Sequence, residues 1–104
     1  MKRLMIPLLC SLLLGTALKA TASDPCLRVQ VTATAMMEAR QAEVPAHKVV
    51  SLYRKGTQAD IFRVYVVMIH DAYQSRLWGK KATKERAVTE FASKYYTMCW
   101  KHRV

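Results

Sequence analysis

Apolar residues recur at helical spacing through most of this chain, most plainly near its end. Val88, Phe91, Ala92, Tyr95 and Cys99 fall at offsets 0, 3, 4, 7 and 11, which is one face of an α-helix. Glu85, Arg86, Glu90 and Lys94 lie mostly elsewhere, Glu90 and Lys94 at a favourable four-residue spacing, and Thr83 is the expected N-cap. Upstream, Thr57-Gln58-Ala59-Asp60 has the form of a capping box with Asp in place of Glu. It precedes a second periodic stretch in which Ile61, Tyr65, Met68 and Ala72 line one face, flanked by Phe62, Val66, Ile69 and Tyr73. So wide an apolar band suits the central helix of a bundle, although Val64-Tyr65-Val66-Val67 would also suit a strand. Pro45, Val49, Val50, Leu52 and Tyr53, closed by Gly56, predict a short helix with a proline start and a glycine stop.

The first segment carries two signals. Leu27, Val29, Val31, Ala33 and Ala35 alternate strictly, as a strand would. Residues 35–43 are strong helix formers, and Asp24-Pro25 supplies a cap and a first turn. A lone strand would have no partner, so one helix is expected from Pro25 to about Glu43, with its opening turns in question. The fold class is all-α, a small bundle of about four helices in one domain covering residues 23–104.

The first 22 residues have a different character. Lys2 and Arg3 precede an apolar run from Leu4 to Leu14, and Ala20-Thr21-Ala22 offers the small residues that signal peptidase requires, placing a cut before Ser23. The stretch Leu4–Leu18 is shorter than the roughly 20 residues that span a bilayer, so a cleaved leader and a periplasmic or secreted product are expected. Neither Cys10, after the bulky Leu9, nor Cys26, with no apolar run before it, has the setting of an acylated lipoprotein cysteine. The full chain has 17 Lys and Arg against 7 Asp and Glu. Loss of Lys2, Arg3 and Lys19 leaves 14 against 7, a net charge of +7. Loss of Cys10 leaves Cys26 and Cys99, which in an oxidising compartment are each other's obvious partner. An intermolecular bridge or a free thiol pair is the alternative. A bond between them would close a 73-residue loop, a constraint of about 4 kcal/mol in the chain-entropy view, and the bundle would then be stapled at its termini as a monomer.

The block Met36-Met37-Glu38-Ala39-Arg40-Gln41-Ala42-Glu43-Val44-Pro45 resembles a pattern in a group of small exported helical proteins of Gram-negative bacteria and their phages. The resemblance continues through Ala72-Tyr73 and through a final helix bearing Phe91, Tyr95, Tyr96 and a terminal cysteine, here Cys99. Glu43 stands where that pattern has glycine, and the tail Lys101-His102-Arg103 is more basic than in the group. The resemblance implies a signal peptide followed by about 80 helical residues, and it carries no activity with it.

Candidate chemistry is sparse. His47, His70 and His102 are scattered, and His70 and Asp71, as neighbours on a helix, point about 100° apart and do not form a relay. Ser51, Ser75 and Ser93 lack a glycine-flanked elbow, and no phosphate-cradling glycine loop occurs. The seven acids Asp24, Glu38, Glu43, Asp60, Asp71, Glu85 and Glu90 all have capping or helix-pairing explanations. Two cysteines without spaced histidines do not make a zinc site. The expectation is a protein without enzymatic activity, cofactor or metal. What remains is charge: Arg76, Lys80, Lys81, Lys84 and Arg86 cluster around Trp78 and form a possible contact patch. Export argues against nucleic acid as its target. The reading is a binding or inhibitory module of the cell envelope acting on a protein partner, with a basic membrane-surface or envelope-stress protein touching anionic lipid as the alternative.

Overall fold

The computed structural model describes residues 24–103, and the expected signal peptide lies outside them. Four helices follow one another: α1 (Pro25–Gln41), α2 (Ala46–Arg54), α3 (Ala59–Tyr73) and α4 (Lys81–Arg103). No strand occurs among the described residues. The fold is all-α, as the periodicity predicts.

Helix α1 is regular from its first turn. The Asp24 carboxylate accepts from the backbone N–H of Cys26 at 2.9 Å and of Leu27 at 3.4 Å, and Pro25 occupies the first helical position, where its missing N–H costs nothing. Thr32 and Thr34 turn their hydroxyls back onto the carbonyls of Arg28 and Gln30, so these β-branched residues are satisfied within the helix. Cys26, Ala33, Met36 and Met37 are buried on the inner face. The strand-like alternation has a simple origin: Val31 and Ala35 belong to the outer face, where Val31 is 65% exposed.

Helices α1 and α4 form the main antiparallel pair. Cys26 at the start of α1 is bonded to Cys99 near the end of α4, with Cα atoms 5.6 Å apart. At the other end, the Lys84 ammonium in the first turn of α4 donates to the Gln41 carbonyl at 2.8 Å, closing the C-terminus of α1. Between these ties lies the core, where Ala33, Met36 and Met37 meet Phe91 and Ala92 of α4, Met68, Ile69 and Ala72 of α3, and Val49 of α2. Helices α2 and α3 form a hairpin, with Tyr53 and Tyr65 in edge contact at 5.2 Å.

Three expectations need correction. Thr83 does not cap the last helix, which starts two residues earlier at Lys81. Lys80 stands before the first turn, its carbonyl accepting from Lys84 N–H at 3.0 Å, and Thr83 falls within the helix. The Thr57–Asp60 capping box does not form: the cap position is Gln58, with no side-chain bond to the first turn. The apolar band of α3 is not enclosed on all sides, since that helix packs on α1 and α2. Met68, Ile69 and Ala72 are buried, whereas Ile61 and Val66 of the predicted band, with Val64 and Val67 beside them, are exposed.

The α1–α2 turn puts residue 43 in a conformation that favours glycine. Val44 N–H bonds to the Ala39 carbonyl at 2.9 Å and Glu43 N–H to the Arg40 carbonyl at 3.0 Å, the paired bonds of a Schellman stop. That stop needs a left-handed residue, and Glu43 supplies it with φ 62°. A non-glycine residue there costs about 1–2 kcal/mol, partly offset because glycine loses about 0.5–1 kcal/mol more backbone entropy on folding. Glu43→Gly should therefore raise stability by about 0.5–1 kcal/mol, read as a higher midpoint in urea unfolding at unchanged slope. A lower midpoint would mean that the Glu43 side chain stabilises the turn by more than its backbone strains it.

Candidate functional site

The connection from α3 to α4 is held by two neighbouring residues at the end of α1. Arg40 lays its guanidinium 5.4 Å from the Tyr73 ring centroid and donates twice to the Ser75 carbonyl, at 3.0 and 2.8 Å. Gln41, only 5% exposed, uses both ends of its amide: the nitrogen donates to the Arg76 carbonyl at 2.7 Å and the oxygen accepts from Trp78 N–H at 3.0 Å. The Tyr73 hydroxyl donates to the Val44 carbonyl, tying the Schellman turn to the end of α3. The Glu-Ala-Arg-Gln run is thus a clamp that gives a strand-free loop a fixed shape. A buried amide satisfied on both sides specifies geometry closely, because any shift leaves a polar group unpaired.

The residues of the predicted basic patch lie on and after this clamped loop. Arg76 turns its guanidinium over the Trp78 ring, 4.6 Å from the centroid. Lys84 is committed to the end of α1. Lys80 and Lys81 are exposed, and Arg86 stands on the wall of a groove.

The groove has a volume of about 610 Å³ and opens where α3 and α4 diverge. Met37, Trp78 and Phe91 give it apolar surface, and Arg86, Glu90 and the Asp71–Lys94 pair give it charge of both signs. The Asp71 carboxylate accepts from the Lys94 ammonium at 2.6 Å and from the Tyr95 hydroxyl at 2.8 Å. Burial on its own would raise the Asp71 pKa, but these two bonds and the nearby positive charge hold it below the ordinary carboxylate value. Burial first, and then the Asp71 carboxylate, push the Tyr95 hydroxyl well above its ordinary value. Tyr95 stays neutral and acts as a donor.

The Asp71 shift carries a pH prediction. Its folded pKa lies below the unfolded one, so the stabilisation is present above the ordinary value of 3.8 and lost as pH falls through the folded value. Lys94 and Asp71 are 48% and 37% exposed, so screening limits the contribution to about 0.5–1 kcal/mol. Asp71→Asn should be less stable than wild type by that amount at pH 7, and the difference should shrink as the carboxylate protonates. A difference that stays constant down to pH 2 would assign the loss to geometry rather than to charge.

His47, His70 and His102 are all exposed, and the Asp71 carboxylate is taken by Lys94 and Tyr95. Among the described residues no three His, Cys, Asp or Glu side chains converge to hold a metal ion. The groove can receive an apolar or aromatic group against Trp78 and Phe91 while its rim pairs with charges on either side. Arg40 and Gln41 were not singled out from the sequence. The available signal was a glutamine four residues after Met37, on the buried side of a helix. Comparison with protein families, curated proteins and solved structures finds no match to this chain.

Proposed function

We propose that this chain is exported, loses residues 1–22, and serves in the periplasm or outside the cell as a non-enzymatic binding or inhibitory module that engages a protein partner through the groove between α3 and α4. The groove carries the reading: apolar surface at its centre and a mixed-charge rim are the composition of a protein contact site. Arg86, Glu90 and Lys94 are placed to select charges on the partner. The Cys26–Cys99 bond suits an oxidising compartment, and no helix among the described residues is long and apolar enough to cross a membrane. The resemblance of the Met36–Pro45 block to small exported helical proteins of Gram-negative bacteria and phages supports the same compartment.

Export is tested by the mass of the protein recovered from a periplasmic fraction, which should place its N-terminus at Ser23. An intact chain from Met1 in the membrane fraction would overturn it. Partner binding is tested with a photocrosslinking residue at Ala87, which lines the groove. A discrete adduct should form in cells and disappear with Glu90→Arg. Equal labelling from a crosslinker at the exposed Ser51 of α2 would mean that contacts are nonspecific and that the groove is not the site.

A further inference from the structure

The end of the bundle farthest from the Gln41 clamp has an unusual surface. Here the first turns of α1 and the last turns of α4 are joined by Cys26–Cys99. Large apolar side chains stand exposed around the joint: Val31 at 65%, Met98 at 43% and Trp100 at 44%. Trp100 is in edge contact with Tyr96, ring centroids 6.3 Å apart. Arg28, Lys101 and His102 are exposed among them. Asp24 is an acid at this end among the described residues, and its carboxylate caps α1.

We propose that this disulfide-closed end docks on an anionic lipid bilayer, with Trp100 and Met98 entering the headgroup region and Arg28 and Lys101 contacting lipid phosphates. Two observations select lipid over a second copy of the chain. Among the described residues the exposed bases Arg28 and Lys101 outnumber Asp24 at this end, so it carries a net positive charge that an anionic surface attracts. Tryptophan beside lysine and arginine is the composition favoured at a membrane–water boundary. The site is distinct from the loop cluster of Arg76, Lys80, Lys81, Lys84 and Arg86. It is also independent of the groove, which would be held away from the bilayer and open to a partner.

The test is flotation of the purified oxidised protein, its N-terminus verified at Ser23, with vesicles of phosphatidylcholine alone or with phosphatidylglycerol added. Binding should require the anionic lipid and weaken as salt is raised. Each base in contact is worth about fivefold in affinity, so Arg28→Glu with Lys101→Glu should weaken binding at least about 25-fold. The matched reversal Lys80→Glu with Lys81→Glu, at the opposite end, should weaken it far less. In a Trp78→Phe background, brominated lipid should quench Trp100 emission. Equal losses from the two charge reversals would mean that net charge alone drives adsorption, and the proposal would fall. Unquenched Trp100, or no flotation with anionic vesicles, would also overturn it.

Discussion

Cys99→Ser should destabilise this protein by about 2–5 kcal/mol, lowering its melting temperature by roughly 10–30 °C for a domain of this size. The size of the effect follows from what the bond joins. It links residues 73 apart, so its loss releases almost the whole domain from a closed loop in the unfolded state. The nine side chains clustered in the core of the described residues are spread over four helices, and a domain this small has few kcal/mol in reserve. The change should also be uneven in space. The Gln41 end of the α1–α4 pair keeps the Lys84 bond and the amide clamp, whereas the Cys26 end has Val31 and Met98 exposed. Hydrogen exchange should therefore rise first in residues 25–31 and 95–103. Melting within two degrees of wild type would show that helix packing alone supports the fold. A reducible dimer of the wild-type protein would instead make the bridge intermolecular.

Helix placement was legible where burial is one-sided and blurred where it is not. In α4 a single inward-facing stripe from Val88 to Cys99, buried at Phe91 and Ala92, made the periodicity plain. In α1 the pattern was double because Val31 and Ala35 put apolar groups on the outer face, and only Asp24, Pro25 and the residues after Ala35 pointed to a helix. In α3 the band read as enclosed, but Val64 and Val67 are left uncovered because α4 crosses onto α1 instead of lying along α3. That choice is made by contacts distant in sequence, among them Gln41 with Lys84 and the packing of Met36 and Met37 with Phe91. No local pattern carries them. The disulfide was legible by counting, once the leader with Cys10 was set aside. The basic residues around Trp78 were legible as composition, but their contacts were not: Lys84 donates to the Gln41 carbonyl and Arg76 lies over the Trp78 ring.

Gln41→Leu should produce the second large effect, and it separates structure from binding. Leucine fills much of the same space but leaves the Arg76 carbonyl and the Trp78 N–H without the partners they now have at 2.7 and 3.0 Å. An unpaired buried polar group costs about 1–3 kcal/mol, and this loop is near enough to solvent for water to recover part of that. The net loss should be about 2–3 kcal/mol, measured by urea unfolding of the oxidised protein. The disulfide and the Met36–Phe91 core are untouched, so the variant should still fold. Its loop should not hold its shape: Trp78 emission should shift toward that of a solvated indole, and crosslinking from Ala87 should fall even where the protein is fully folded. Arg40→Ala removes both bonds to the Ser75 carbonyl, but that carbonyl lies at a half-buried residue open to water, so the loss should be smaller, about 1–2 kcal/mol. If Gln41→Leu is as stable as wild type and leaves Trp78 emission unchanged, then the amide is not the clamp. The groove would then owe its shape to Trp78 stacking on Arg76 and to the bridge between Asp71 and Lys94.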